Sequence, residues 1–259
     1  MRHPSIGQNF LVDKNIAELQ VKYAQINPGD RVLEIGPGYG MLTRLLSKEA
    51  EEVIAIEKDV RLVELLRQLK LPNVRVIHRD ALELDLGLLN YNKIVSNPPY
   101  YIASPLTFKL LEAKFQLGVL MYQEEFAERM AAKSGGKNYG RLSVTLYYYA
   151  KCELLKRVSR NAFRPKPKVD SVIVRLVPRT QPPMKISDEK MFFRLVNIIF
   201  SQRRKKLRSI LKNRWKEISR SKEKIDELID PLPFKEERPG EISPEQIGDL
   251  ANRITAYNL

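Results

Sequence analysis

The chain has 259 residues, 43% of them hydrophobic, which suits one large domain with a substantial core and a smaller second one. Cys152 is the only cysteine and His3 and His78 are the only histidines, so an intramolecular disulfide is excluded and a Cys/His zinc site is disfavoured. The net charge is +14, no apolar run approaches the ~20 residues of a membrane span, and "MRHPSIGQNFLVDKN" lacks the apolar segment of a secretory signal, so a cytoplasmic protein with no membrane partner is expected.

In chain order, the first 176 residues alternate between strand and helix. Strands are predicted at 32–35, 53–56, 74–77, 94–96 and 117–121, and helices at 41–49, 60–69, 105–113 and 124–132, with "KSGGKNYG" as a loop. Two more β-rich runs, 153–158 and 171–177, complete seven strands. This alternation predicts an α/β fold, with a mostly parallel sheet covered by helices on both faces. The polar, proline-rich "PRTQPPMK" then reads as a connector. Beyond it the periodicity is helical, at 188–200, 205–211 and 244–257, and Ser243 with Gln246 has the spacing of a capping box. The expected domains are 1–178 and a small all-α domain over 179–259.

The charge is unevenly distributed. Residues 1–150 carry 19 Lys and Arg against 17 Asp and Glu, residues 151–216 carry 20 against 4, and residues 217–259 carry 6 against 10. One block thus holds the whole excess, which is the footprint of a polyanion site. A solvated surface rich in Lys and Arg is the alternative. Within the block, "SQRRKKLRS" gathers Arg203, Arg204, Lys205, Lys206 and Arg208 around a helix start, suited to phosphates.

"VLEIGPGYG" puts Gly36, Gly38 and Gly40 directly after the first strand, where glycine allows a sharp turn and close approach of a ligand. The spacing G-x-G-x-G, with Glu34 two residues earlier, resembles the first motif of Rossmann-like class I methyltransferases that bind S-adenosyl-L-methionine. Glu57 ends the second strand, where an acid can accept from both ribose hydroxyls. Asp80 follows the third strand and can accept from an adenine amino group, with the Ala81 backbone N–H facing a ring nitrogen. Open α/β sheets bind ligands at the carboxyl ends of their strands, which is where these residues fall.

The fourth strand ends on "SNPPY" at that same rim. Two prolines fix two φ angles and make the turn rigid. An amine on an aromatic ring is a poor nucleophile because its lone pair is delocalised. Acceptors placed on its hydrogens favour a pyramidal nitrogen and free that lone pair; the Asn97 side-chain oxygen and the Pro98 carbonyl can serve. Tyr100 can stack on the ring and fix its plane. Positioning and electrostatics then do most of the work, without a metal or a strong base.

Asn-Pro-Pro-Tyr resembles the motif shared by methyltransferases acting on the amines of adenine, cytosine and glutamine. "GQNFLVD" (7–13), "QEEFAERMAAKSGGKNYGRLSV" (123–144), "FRPKPKVDSVIVRL" (163–176) and "FSQRRKKLRSIL" (200–211) resemble the ribosomal RNA small-subunit adenine dimethyltransferase family (KsgA/Dim type), in an archaeal-like form. The resemblance weakens after about residue 215. It implies dimethylation of two adjacent adenosines in the loop of the 3′-terminal hairpin of small-subunit rRNA, within the pre-ribosomal small subunit. It also implies that Asn9 and Leu11 close over the cofactor, that Gly36, Glu57, Asp80 and Asn97 complete its site, and that Phe163 packs on the target base opposite Tyr100. The physics agrees. RNA is read in loops whose bases splay onto aromatics, and "FRPKPKVD" offers Phe163 with Arg164, Lys166 and Lys168. A large-subunit rRNA methyltransferase of the antibiotic-resistance type, a DNA or protein amine methyltransferase, and a non-catalytic assembly factor with the same fold are the alternatives. Nothing in the sequence demands more than a monomer.

Overall fold

The computed structural model describes residues 8–219 and 224–257, so His3 and the Gly7 that opens the "GQNFLVD" motif lie outside the described residues. In chain order the elements are β1 (Phe10–Leu11), α1 (Lys14–Ala24), β2 (Arg31–Ile35), α2 (Met41–Glu49), β3 (Glu52–Glu57), α3 (Val60–Gln68), β4 (Val74–His78), β5 (Lys93–Ser96), α4 (Ala103–Glu112), β6 (Leu117–Gln123) and α5 (Glu124–Met130). They continue with α6 (Arg141–Tyr149), β7 (Ala150–Val158), β8 (Phe163–Arg164), β9 (Ser171–Pro178), α7 (Glu189–Phe200), α8 (Leu207–Asn213), α9 (Ile225–Ile229) and α10 (Pro244–Tyr257). None of the described helices is long and apolar enough to cross a membrane.

The chain divides into two compact units. One comprises the residues up to Ala127 together with Ala150–Pro178; the other comprises Glu128–Tyr149 and the residues from Arg179 onward. Residues 128–149 thus pack with the helical part, whereas the sequence expectation kept them in the first domain.

The first unit is built on a seven-stranded sheet in the order β4-β3-β2-β5-β6-β9-β7. Strands β4 to β6 of that order are mutually parallel, and β9 runs antiparallel to both its neighbours. The central strands are buried on both faces, which is why they read as unbroken apolar runs rather than alternating ones. Lys93, at the start of β5, is one of their few buried ionisable residues. Its ammonium is buried 2.8 Å from the Asp30 carboxylate, which also accepts from Asn27 N–H and the Asn92 amide, both at 2.6 Å.

Besides the short α9, two helices escaped the periodicity. In α1 the buried stripe is Ala17, Gln20 and Ala24, too small and too polar to register as apolar. Gln20 is fully buried, and its amide donates to the Ser96 and Val119 carbonyls, both at 3.2 Å. Asp13 caps the helix, accepting from Asn15 and Ile16 N–H. The other, α6, spells "RLSVTLYYY", rich in residues that favour strands. Burial overrides that preference: Val144 and Tyr148 join the core of the second unit, where Tyr148 meets Phe192 and Phe193, each at 5.3 Å between ring centroids.

In that second unit α7 buries Phe192, Leu195, Val196 and Ile199 at the predicted spacing, against apolar residues of α8, α9 and α10. The capping box forms: Ser243 N–H donates to Gln246 Oε1 at 2.7 Å and Gln246 N–H to Ser243 Oγ at 3.3 Å.

Lys93→Met strands the Asp30 carboxylate in the interior. Urea unfolding is expected to show a loss of about 3 kcal/mol, as for other broken buried pairs. The Asp30→Asn/Lys93→Met double variant should lose less; an equal or larger loss would show that the pair is not coupled.

Candidate active site

The carboxyl ends of β2, β3, β4 and β5 form one rim. After β2 the chain turns through Gly36, Gly38 and Gly40, with φ of 71°, 58° and 76°. Such angles favour glycine, and all three positions are crowded as well. A Cβ on Gly36 would lie 2.9 Å from Pro99 Cδ, and one on Gly38 would lie 2.7 Å from Phe10 Cδ1. Gly38 N–H donates to Glu57 Oε2 at 3.3 Å, while Glu57 Oε1 accepts from Lys58 and Asp59 N–H at 2.8 and 2.9 Å. The carboxylate at the end of β3 is therefore tied to the glycine turn beside it, and it is only 6% exposed. Asp80, beyond β4, accepts from Leu82 N–H at 2.9 Å and from Lys58 Nζ at 2.6 Å. The Lys58 ammonium, helped by that backbone N–H, holds the Asp80 carboxyl below its usual range.

Beneath the turn Glu34 is buried and accepts from the Thr43 hydroxyl at 2.7 Å. Burial pushes its carboxyl up to about 8, against the Thr43 hydrogen bond and with the Glu57 charge adding to the rise. At neutral pH it is mainly protonated.

Where β5 reaches the rim, Ser96 secures it. Its hydroxyl donates to the Ile35 carbonyl at 2.6 Å and its oxygen accepts from Ile35 N–H at 3.2 Å. The next residue, Asn97, has its Oδ1 buried without a hydrogen-bond partner. Tyr100 turns its hydroxyl to Ser171 Oγ at 2.7 Å. Over this end lies a two-stranded antiparallel ribbon, with Phe10 opposite Arg164 and Leu11 opposite Phe163. Asn9 extends it, donating from Nδ2 to the Pro165 carbonyl at 2.7 Å.

A cavity of about 340 Å³ opens on the rim, lined among others by Asn9, Gly36, Gly38, Glu57, Asp80, Ala81 and Asn97. A narrow space of about 10 Å³ adjoins it at Asn9 and Asn97, between Pro98, Tyr100 and Phe163. Leu11 lies off the larger cavity, with Glu34 and Gly38 around a space of about 50 Å³. Sequence reasoning missed Ser96 and Lys58. A serine ending "KIVS" reads as a strand terminus, but a lysine between two rim acids was a usable signal.

The basic residues are placed less uniformly. Arg164, at the end of β8, and Lys166 and Lys168, in the loop after it, are exposed. In the second unit Lys206 pairs with Glu236 at 3.0 Å, Arg208 with Asp230 at 2.9 Å, and Arg203 donates to the Gly136 carbonyl at 3.0 Å. Arg204 and Lys205 are exposed and make no ion pair among the described residues. The described residues contain no cluster of His, Cys, Asp or Glu suited to a metal ion.

The strand order, with its reversal between β2 and β5 under the cavity, is the architecture of Rossmann-like methyltransferases. More narrowly, the chain belongs to the ribosomal RNA adenine dimethylase family, whose profile matches residues 1–245. It is 45% identical over 254 residues to the probable ribosomal RNA small subunit methyltransferase A of Methanosarcina acetivorans, covering 96% of this chain and 93% of that one. Among solved structures it resembles a dimethyladenosine transferase from Plasmodium falciparum, with a TM-score of 0.80, 30% identity and coverage of 96% and 97%. It also resembles the 23S rRNA methyltransferase ErmE, with a TM-score of 0.71, 27% identity and coverage of 95% and 99%.

Ser96→Ala would leave the Ile35 N–H and carbonyl buried without the hydroxyl between them. The expected cost is about 2–4 kcal/mol for the two groups, measured by urea unfolding. A change below about 0.5 kcal/mol would show that the rim holds without it.

Proposed function

We propose that the protein dimethylates the exocyclic amines of two adjacent adenosines in the loop of the 3′-terminal hairpin of small-subunit rRNA. It would do so with S-adenosyl-L-methionine, as a monomer acting on the pre-ribosomal small subunit late in assembly. Family membership supports the reaction class, and the names of the relatives support the small subunit. One observation carries the chemistry: Asn97 Oδ1 is a buried acceptor without a donor, at the junction of the cavity and the narrow space. Leaving such an atom unpaired costs stability, so a partner from the substrate is the economical explanation.

The larger cavity fits the cofactor. Glu57 offers a buried carboxylate to ribose hydroxyls, Asp80 an acceptor to an adenine amine, and the Ala81 N–H a donor to the ring. The crowded glycine turn lets backbone approach where any side chain would intrude. When bound, the cofactor supplies an electrophilic methyl group on a sulfonium centre. The chain supplies geometry. Asn97 Oδ1 and the Pro98 carbonyl accept from the target amine and pyramidalise its nitrogen, and Tyr100 and Phe163 grip the base. The space between those rings is about 10 Å³, room for about one water, so the rings must part to admit a base. Once methylated, the nitrogen is a strong acid and loses its proton to water. Arg164, Lys166, Lys168, Arg203, Arg204, Lys205, Lys206 and Arg208 are assigned to phosphates, with the helical unit contributing to rRNA binding. Arg204 and Lys205 are the readiest, because Lys206 and Arg208 already have carboxylate partners.

Mass spectrometry of small-subunit rRNA, after incubation with protein and cofactor, should find two adjacent dimethyladenosines in that hairpin. Modification confined to large-subunit rRNA would support the antibiotic-resistance type instead, and no modification would leave a binding role. Asn97→Ala should slow transfer by about 10²–10³-fold while small subunits still bind, the size expected for loss of one preorganised polar group. Lost binding with unchanged turnover would remove Asn97 from the chemistry. Glu57→Gln should weaken S-adenosylhomocysteine binding by about tenfold to a hundredfold in calorimetry, since a charged acceptor is lost. Unaltered affinity would place the ribose elsewhere.

A further inference from the structure

A second concave surface lies on the first unit, outside the cavity and the narrow space. It has a volume of about 460 Å³ and runs between the start of α1, the β1–β8 ribbon and the first turns of α2. Its floor is apolar, from Leu11, Met41 and Leu45. Two apolar side chains stand open to solvent on it, Tyr39 at 59% and Val12 at 45% exposure. Tyr39 is braced by Phe10, 4.6 Å away between ring centroids. The rim is cationic: Lys14, Arg44, Lys48 and Arg164 line the groove, and no acidic residue does. Lys14 is paired with Glu18 at 3.1 Å. Arg44 and Lys48 stand one helical turn apart on the exposed side of α2 and make no ion pair among the described residues.

We propose that this groove binds unpaired RNA next to the target adenosines, with one base stacked on Tyr39 and its phosphates on Arg44, Lys48 and Arg164. The inference rests on the rRNA reading above and extends it to a surface built mainly by residues 10–48, which Arg164 alone joins from the basic block of residues 151–216. An exposed aromatic on an apolar floor with a cationic rim is the chemistry of single-strand binding, where stacking tolerates any base and cations track the backbone. Continuity favours RNA over a protein segment. Arg164 follows Phe163, which lines the narrow space for the target base, and its partner Phe10 lines both the cofactor cavity and the groove. A strand leaving the base site across the ribbon therefore meets the groove next.

The test uses the full-length protein carrying Arg44→Ala and Lys48→Ala, with Tyr39→Ala made separately. The probes are a synthetic RNA of the 3′-terminal small-subunit hairpin with unpaired flanks, and purified small subunits. The double variant should keep its melting temperature and its S-adenosylhomocysteine affinity. It should bind the hairpin about tenfold more weakly, with the slope of log K against log salt reduced by about 1.4, or about 0.7 per phosphate contact. Tyr39→Ala should weaken binding roughly tenfold with the slope unchanged, as for loss of one stacked base. Hairpin carrying 4-thiouridine in its flanks should crosslink to the peptide containing Tyr39. Unchanged affinity and slope, in a protein that still methylates small subunits, would overturn the groove and leave the rRNA reading intact. Weakening seen only with whole subunits and not with the hairpin would assign the groove to a ribosomal protein and overturn the RNA proposal. If the wild-type protein neither binds the hairpin nor modifies small subunits, the rRNA reading itself fails.

Discussion

The site depends on how two parallel strands part company. Strands β2 and β5 are ladder partners only at Val32–Lys93 and Leu33–Ile94. Beyond that point β2 must turn toward its glycines and β5 toward Asn97, and the backbone groups of Ile35 would be left without partners in the interior. The Ser96 hydroxyl fills that gap by bonding both groups of Ile35. Unpaired backbone groups are too costly to bury, so the separation of the strands is possible only because a side chain replaces the missing ladder. The crevice between the strands follows, and the cavity occupies it. Gln20 adds a second support from outside the sheet by holding the Ser96 and Val119 carbonyls.

Close approach is the other half of the arrangement. Gly36 lies against Pro99 and Gly38 against Phe10, at distances no side chain could share. The two turns and the ribbon are therefore packed at backbone range, with Glu57 drawn in by Gly38 N–H. A rim assembled this way has little slack, as sub-ångström positioning of a methyl donor and an amine requires. Lys58 adds charge control, keeping Asp80 ionised while remaining itself largely exposed.

Much of this was legible in the sequence because burial on both faces leaves a strand no choice but an apolar run. The four inner parallel strands announced themselves in that way, the edge strand β4 is only half-buried, and Glu57 and Asp80 stood out because acids end such runs. Two of the missed helices had their signals removed by packing: α1 buries alanines and a glutamine, and α6 is so enclosed that its β-prone residues lost their say. Ser96 was invisible because its role lies in the Ile35 backbone, which has no letter. The pairing of the basic block is likewise not written in the sequence. Lys206 and Arg208 are neutralised by Glu236 and Asp230, from the acidic stretch that follows the block. Arg44 and Lys48 lie in a segment whose charges nearly cancel in sum.

The β1–β8 ribbon has a consequence for turnover. Its two strands are hydrogen-bonded to each other, Val12 N–H holds the Ala162 carbonyl at 2.8 Å, and Asn9 holds the Pro165 carbonyl. Asn9 borders the larger cavity and Phe163 the narrow space, so one ribbon forms a wall of both. With the roles proposed above, an opening that releases a spent cofactor would move the surface that grips the base. By reciprocity, whatever filling one site does to the affinity of the other is returned in equal measure. For an enzyme that adds two methyl groups to one nitrogen, reloading between the two would then be felt in both spaces, because the ribbon walls both.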